Sequence, residues 1–370
     1  MIQHAGRVHI IENVCDNDGH GKKVLVALSG GVDSAAAACI LLERGFEVTG
    51  AFLCMERPAE DCSARTCCSP QDAWDAAAVA DKLGIRLLKI PAAGYFEKIM
   101  SDFADEYATG RTPNPCIHCN VLLKFGHLAK IADDAGIDYI ATGHYARVVQ
   151  TADGNCFARS FAKNKDQSYV LFALSPDLLG RILLPLGNFT NKLEIRQIAL
   201  AAGLPVHDKP ESQDICFIAE NGLANFMRRM RPDSMRAGNI YDTAEKIVGH
   251  HDGAAQYTIG QRRGIGVSAA EALYVTRVDP ENASIWVGPR ETLNMGGLFA
   301  NNSNWFCDLP QKFEAKVQLR AHHATVPAYI RILPENRFEV KFTSPIIGVT
   351  PGQAAVVYRD DILLGGGWIE

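Results

Sequence analysis

The stretch Lys23 to Ser34, KVLVALSGGVDS, restricts the fold of this chain more than any other. Val24 to Leu28 is a valine- and leucine-rich run that reads as a buried strand, and it leads directly into Ser29, Gly30, Gly31, Val32, Asp33 and Ser34. The alanine-rich segment Ala35 to Glu43 then reads as a helix. A strand that ends in small residues and turns into a helix gathers backbone N–H groups at the positive end of the helix dipole, which makes an anion site. Glycines there let the backbone approach a phosphate closely. The Walker ending Gly-Lys-Ser or Gly-Lys-Thr is absent, so the logic of that loop does not apply. The plainer alternative is a tight strand-to-helix turn in a doubly wound domain.

With 370 residues the chain exceeds one ordinary core, and two or three domains are expected. The start, MIQHAGRVHIIENVCDNDGHGKK, has no basic-then-apolar leader, and no apolar run reaches membrane-spanning length, so the expected location is the cytoplasm. Eleven scattered cysteines suit thiols, metal ligation or sulfur chemistry better than a disulfide framework. A formal net charge of -5 excludes a generally sticky nucleic-acid binder. Any RNA contact then comes from local basic patches, of which Arg228, Arg229, Arg231 and Arg236 form the densest; a solvated helix face is the alternative.

Along the chain, residues 1 to 21 read as a loose extension or one added edge strand. Glu47 to Leu53 reads as a second strand, ending beside the loop, where Leu53 offers a surface to an adenine ring. Asp72 to Leu83 and Tyr95 to Tyr107 read as helices, and Arg86 to Pro91 and Asp138 to Thr142 as strands. This alternation gives a parallel sheet covered on both faces. Cys54, Cys62, Cys67 and Cys68 read either as a zinc site or as a surface loop, since neither CxxC spacing nor a histidine is near. The pattern breaks at TGRTPNPCIHCN, Thr109 to Asn120, where prolines stiffen the backbone and present Asn114, Cys116 and Cys119. A helix expected over Val121 to Ala135 puts Cys119 just before its N-terminus, where the dipole favours a thiolate.

Gly143 and His144 end a strand at the ligand edge of the sheet, and His144 either touches ligand or is a plain strand-end histidine. A hairpin follows over Tyr145 to Ser160. Helices are expected to begin at Lys163 to Ser168 and to fill Pro176 to Leu183 and Asn191 to Ala202. A boundary falls near Pro205. Cys216, inside KPESQDICFIAE, reads by itself as a small buried hydrophobe. Short strands are expected at Gly238 to Tyr241, Lys246 to Gly249, Ala272 to Val278 and Ser284 to Val287. The last stretch, Leu298 to Glu370, reads as all-β, with strands at Phe313 to Leu319, Ala328 to Leu333, Phe338 to Phe342 and Ala354 to Tyr358. A small closed barrel removes their edges. The expected domains are 22–205, 206–294 and 295–370.

SGGVDS resembles the pyrophosphate loop of ATP pyrophosphatases, enzymes that adenylate an oxygen. With it, RTPNPCIHCN (Arg111 to Asn120), ATGHYAR (Ala141 to Arg147), NKDQSY (Asn164 to Tyr169), SQDICFI (Ser212 to Ile218), TIGQRRGIG (Thr258 to Gly266) and TPGQAAVVY (Thr350 to Tyr358) resemble the bacterial tRNA-specific 2-thiouridylases, in the family's order. The resemblance implies a doubly wound α/β adenylating domain, a small central domain and a C-terminal β-barrel. It implies ATP at Ala27, Leu28, Ser29, Gly30, Gly31, Val32, Asp33, Ser34, Leu53 and Gly143, with Asp33 helping to hold Mg²⁺. It places Asn114, Pro115 and Cys116 facing the target base, and His144, Lys165, Asp166, Gln167, Arg320 and Gln353 toward tRNA. Cys119 falls on the family's nucleophile and Cys216 on the cysteine that receives persulfide sulfur from a donor protein or sulfide.

Those residue types suit the chemistry, since adenylation makes a uracil O2 a leaving group and sulfur then has to arrive as a nucleophile. Two departures from the family pattern stand out. Many members carry an acidic residue where this chain has Cys116, making the loop a CxxC, and an Arg-aromatic pair is replaced by Arg320-Ala321. A 4Fe-4S cluster held by Cys116, Cys119 and Cys216 is therefore an alternative to the persulfide route. Two other functions fit the loop alone: an amide-forming synthetase, or a nucleotide-gated sulfur or iron-sulfur carrier that binds RNA without turnover.

Overall fold

The computed structural model describes residues 12–13, 19–55, 70–152, 154–211, 215–218 and 222–370. Its N-terminal part runs β1 (Glu12–Asn13), β2 (Lys23–Ala27), α1 (Val32–Glu43), β3 (Glu47–Cys54), α2 (Pro70–Leu83), β4 (Arg86–Pro91) and α3 (Ala93–Ala108). It continues with α4 (Pro115–Cys119), a π-helical stretch Asn120–His127, α5 (Leu128–Asp134), β5 (Tyr139–Ala141), β6 (Ala146–Thr151), β7 (Gly154–Arg159), β8 (Ile182–Leu183) and α6 (Lys192–Ala201). The parallel sheet has the order β4-β3-β2-β5-β8. Successive side chains go to opposite faces: Leu25, Ala51, Leu53 and Ile140 enter one core, while Val24, Val26, Phe52 and Ala141 enter another. Both faces are thus dry, which is why these strands are apolar throughout. Chain order reverses between β2 and β5, and that switch point is where such sheets open a crevice for ligand.

Three expected helices are corrected. The one expected from Val121 begins at Pro115, with Asn114 as its N-cap accepting from the Cys116 N–H at 3.1 Å. Proline at the first helical position gives up a donor that would be unpaired anyway, so TPNP starts a helix rather than delaying one. Cys119 therefore lies at the end of α4, and it is Cys116 that sits in the first turn. The helix then widens into the π-helical stretch, where a Cβ at Gly126 would sit 2.4 Å from the Val121 carbonyl oxygen, a fit that glycine permits. Lys163–Lys165 is a single 3₁₀ turn, and Pro176–Arg181 is another that ends in β8.

The central part comprises α7 (Gly222–Met230), β9 (Gly238–Tyr241), β10 (Ile247–His251), β11 (Tyr274–Asp279) and β12 (Ser284–Gly288), with its four strands in the order β10-β9-β12-β11. The C-terminal part comprises β13 (Asn294–Trp305), β14 (Lys312–Gln318), β15 (Val326–Leu333), β16 (Arg337–Ile347), β17 (Ala354–Arg359) and β18 (Ile362–Ile369). These six close on themselves through β18, which pairs with both β17 and β13. The hairpin β6–β7 joins the barrel at Ala158 and Ile362, and β1 adds to β6.

Two barrel strands, β13 and β18, escape the sequence reading because glycine breaks their patterns. In β18 the glycines answer crowding: a Cβ at Gly365 would lie 2.1 Å from the Asn304 carbonyl oxygen, and one at Gly367 would lie 2.5 Å from that of Asn301. Among the described residues no helix is long and apolar enough to cross a membrane.

Candidate functional site

The six-residue turn after β2 is held in shape by its neighbours. Gly30 has φ +75°, and a Cβ there would lie 2.4 Å from the Asp72 carbonyl oxygen. At the end of β5, a Cβ on Gly143 would sit 2.8 Å from the backbone of Asp33 and Ser34. Ser34, one of the residues expected at ATP, donates Oγ to the Gly31 carbonyl at 3.0 Å and accepts from the Ser29 N–H at 3.1 Å. It laces the loop. Gly31, the N-cap of α1, has no side-chain cap, which leaves the first-turn amides as an anion site beside the cleft.

Two connected cavities meet at Ser29, Asp33 and Gln167. The narrower, of about 220 Å³, is mostly apolar and bounded by Ala27, Leu28, Leu53, Met55, Gly143 and His144. It suits a purine ring, and Ala27, Leu28, Ser29, Asp33, Ser34, Leu53 and Gly143 of the residues expected at ATP line it, while Gly31 and Val32 line the other cavity. His144 lines this slot: it is 7% exposed, with Nδ1 2.7 Å from Thr142 Oγ1. Burial, and secondarily Lys124, hold it well below the ordinary histidine value, so the ring is neutral.

The second cavity, of about 450 Å³, is charged and lined by Asp33, Lys165, Lys192, Lys209 and Glu211. Lys192 Nζ lies 2.6 Å from Asp33 Oδ2 and 3.1 Å from Glu211 Oε1, while Lys165 lies 2.6 Å from Glu211 Oε2. Tyr145 donates its hydroxyl to Asp33 at 2.8 Å, and burial together with the Asp33 carboxylate pushes that phenol up, so it stays a donor. Lys209 bonds Asp72 at 2.7 Å, Asp75, and the Gly30 carbonyl at 3.0 Å.

Sequence reasoning missed Tyr145, Lys192, Lys209 and Glu211 in these roles. Lys192 and Lys209 reach the loop from 159 and 179 positions away, and no local pattern marks them.

Three residues expected to face tRNA also make bonds within the chain. Asp166 is 8% exposed, pairs with Arg159 at 2.7 Å and accepts from the Ser160 amide and the Ser168 hydroxyl. Gln353 is buried and donates to the Thr112 carbonyl at 2.8 Å, while Thr112 in turn donates to the Pro351 carbonyl at 2.8 Å. Arg320 is half-buried and ties Thr350 to the Ile259 carbonyl. The TPNP, TIGQ and TPGQ motifs thus meet and fix one another. Pro115 is buried at the start of α4, Asn114 caps that helix, and Gln167 accepts from the Tyr145 amide at 2.9 Å while bordering both cavities.

Cys119 and Cys216 are half-buried and pack on the same aromatic cluster, Phe96, Phe103, Phe217 and Phe226. Met55, which borders the purine slot, packs on that cluster too. Cys116 is exposed, and no disulfide joins the described cysteines. Among the described residues no three His, Cys, Asp or Glu side chains are placed to hold a metal ion. The ligand set expected from Cys116, Cys119 and Cys216 is therefore not assembled here. Of the four cysteines near position 60, Cys62, Cys67 and Cys68 lie outside the described residues, and Cys54 ends β3.

A parallel sheet with an amide-rich turn and an acidic residue at its switch point, followed by two β-domains, defines a nucleotide-binding HUP-type protein with barrel appendages. Family profiles match accordingly: a tRNA methyl transferase HUP domain over 22–220, a tRNA methyl transferase PRC-barrel domain over 224–289 and an aminomethyltransferase beta-barrel domain over 295–369. The chain belongs to the tRNA-specific 2-thiouridylase MnmA family. It is 42% identical over 357 residues to the member from Carboxydothermus hydrogenoformans, covering 94% of this chain and 98% of that one. It is 44% identical over 361 residues to the member from Geotalea uraniireducens, covering 94% and 95%. A solved 4-thiouridine synthetase–RNA complex with bound ATP is a weaker likeness, with 18% identity and a TM-score of 0.37 over 58% of this chain and 51% of that one.

Proposed function

We propose that this chain replaces O2 of the wobble uridine in tRNA by sulfur, consuming ATP and releasing AMP and pyrophosphate. The observation that carries the reading is the position of Met55, which borders the purine slot and packs on the aromatic cluster that also holds Cys119 and Cys216. A cluster shared by the slot and the thiols supports a reaction that first adenylates and then thiolates one atom.

ATP enters with its purine in the apolar slot and its phosphates at the amides of α1 and the lysine chamber. Asp33 would hold the magnesium that accompanies ATP as substrate. O2 of uracil attacks the α-phosphorus and pyrophosphate leaves. Cys216 carries sulfur as a persulfide. The Cys119 thiolate attacks Sγ of Cys216, which releases hydrosulfide and forms a Cys119–Cys216 disulfide; hydrosulfide then adds at C2 and AMP departs with the oxygen. An external thiol reductant restores the pair. The three-cysteine iron-sulfur route is not adopted, because Cys116 is exposed and the three thiols are not arranged as ligands. The matching profiles are named for methyl transfer, but the paired cysteines suit sulfur transfer.

The partners are tRNA and a sulfur donor, protein or sulfide, and the location is the cytoplasm. The expected boundaries near 205 and 294 stay part of this reading; the HUP profile runs on to 220, and the last profile begins at 295. The test is mass analysis of tRNA nucleosides after incubation with ATP, Mg²⁺ and sulfide, with Asp33→Ala alongside. A 2-thiouridine product from the parent, with pyrophosphate release abolished in the variant, is expected. No thiolated nucleoside, or unchanged release in the variant, overturns the reading.

A further inference from the structure

We infer that Glu211 is a built-in stand-in for the terminal phosphates of ATP, held between Lys165 and Lys192 until nucleotide displaces it and returning there to expel pyrophosphate. The inference rests on the reading of this cleft as the ATP site.

The geometry is specific. One carboxylate bridges two ammonium groups, Oε2 to Lys165 at 2.6 Å and Oε1 to Lys192 at 3.1 Å, in the same chamber as Gly31, Val32 and Asp33 of the anion turn. Three separate elements supply the parts: Lys165 from the 3₁₀ turn after the hairpin, Lys192 from the first turn of α6, and Glu211 from the segment after it. Among the described residues no other acid bridges those two lysines. Their side chains are only 32% and 12% exposed, and without Glu211 the two ammonium groups at the positive end of α1 would have the single carboxylate of Asp33, 2.6 Å from Lys192, to balance them. A carboxylate with two oxygens turned toward two cations presents what a phosphate would present there. Burial pushes the Glu211 carboxyl up, but the hydrogen bonds from both lysines outweigh it and hold the group below its ordinary value. The placeholder is therefore charged at neutral pH.

Phosphate binding then becomes an exchange of anions rather than a simple capture. ATP displaces Glu211 because it is anchored at the purine slot as well, whereas free pyrophosphate has only the lysines and the turn and must compete with a tethered carboxylate whose effective concentration is high. Adenosine and AMP do not reach the two lysines and do not enter the competition.

Glu211→Gln keeps the shape and removes the charge. In equilibrium binding with Mg²⁺, the variant is expected to hold ATP and pyrophosphate about three- to tenfold more tightly than the parent, the range for losing one or two partly exposed ion pairs as competitors. Adenosine and AMP affinities are expected to be unchanged, and pyrophosphate release in a single turnover is expected to slow. Glu211→Asp, whose shorter carboxylate cannot bridge both lysines, is expected to fall between. Parent protein that binds ATP, with Glu211→Gln no tighter for ATP or pyrophosphate, overturns the placeholder and leaves the ATP site standing. Equal tightening for AMP also overturns it, because that marks a general field. A parent that binds no ATP overturns both.

Discussion

Lys209 Nζ donates to the Gly30 carbonyl at 3.0 Å, so a lysine from the end of the nucleotide domain pins the turn that the first strand makes. The same ammonium neutralises Asp72 and Asp75, whose side chains are 14% and 19% exposed. Burial pushes Lys209 down, but these carboxylates outweigh it and hold its value above the ordinary one. Lys209→Met removes the pin and leaves two carboxylates close together without this cation. The expected result is a loss of about 1–3 kcal/mol of stability and weaker ATP binding. Denaturant titration and nucleotide binding check it; a variant with parental stability and affinity shows that the turn holds itself.

Thiol reactivity should separate the cysteines by their surroundings. Burial, and then the Glu43 carboxylate, push the Cys39 thiol up to about 11, and it lies on the buried side of α1. Cys116 is exposed in the first turn of α4, where the helix dipole favours its thiolate. Alkylation of native protein at pH 8 followed by peptide mass analysis is expected to modify Cys116 rapidly and Cys39 only after unfolding. Under the persulfide route, Cys116→Ala still thiolates tRNA, whereas Cys119→Ser and Cys216→Ser do not. Loss of activity in Cys116→Ala, with iron retained by anaerobically purified parent, would favour the cluster instead.

How much of this was legible in the sequence depends on where each partner lies. The turn at Ser29 to Ser34 and the strand before it are local features, and composition alone identifies them. The purine slot was partly legible, because Leu53 and Gly143 end strands at the same sheet edge. The charged chamber was not: Lys192 looks like any early helix lysine and Glu211 like any loop acid until the fold brings them to Asp33. The TPNP helix was misread because proline was taken as a break, although at a first helical position it is a start. Glycines in β13 and β18 hid two strands for a similar reason, since Gly297, Gly365 and Gly367 answer a neighbouring backbone that no local pattern shows. Gln353 and Arg320 were picked out by motif position alone, and only the fold shows that their hydrogen bonds hold three motifs together.

His144 gives a pH test of the slot. Its folded value is depressed by burial, while in the unfolded chain it titrates near 6.5. Below that pH the unfolded state takes up a proton that the folded ring refuses, so the unfolded state binds more protons and stability falls as pH falls. The contribution is complete above about pH 6.5 and is lost at about 1.4 kcal/mol per pH unit below it, until the folded ring itself protonates. Other histidines with lowered values, such as His118 and His251, add to the parental slope, so the difference between parent and variant isolates this one. His144→Gln is expected to flatten the fall in stability between pH 6.5 and 5. Parallel curves for the two proteins would mean that the ring protonates freely in the folded state.

Binding of tRNA is expected to be local and salt-dependent, and the arginines near α7 are not equivalent in it. Arg231 lies 2.6 Å from Asp105 and donates to the Ser101 hydroxyl at 2.7 Å, so it clamps the central part to α3. Arg236 donates to the Glu281 carbonyl and is likewise committed. Arg228 and Arg229 are exposed near the end of α7; Arg228 has a bond of 3.1 Å to Asn225, and Arg229 lies 5.9 Å from the Phe226 ring. A cation on an exposed helix end keeps most of its hydration and mobility, which suits transient pairing with a phosphate chain more than internal pairing. Replacing Arg228 and Arg229 by Ala is expected to weaken tRNA binding at low salt and to reduce the slope of log K against log salt by about 0.7 to 0.9 for each phosphate that the protein no longer neutralises. Arg231→Ala is expected to lower stability through Asp105 and to leave that slope unchanged. Filter binding across a salt series, alongside thermal melts, separates the two. A double variant with the parent's slope would place this face of α7 away from the RNA.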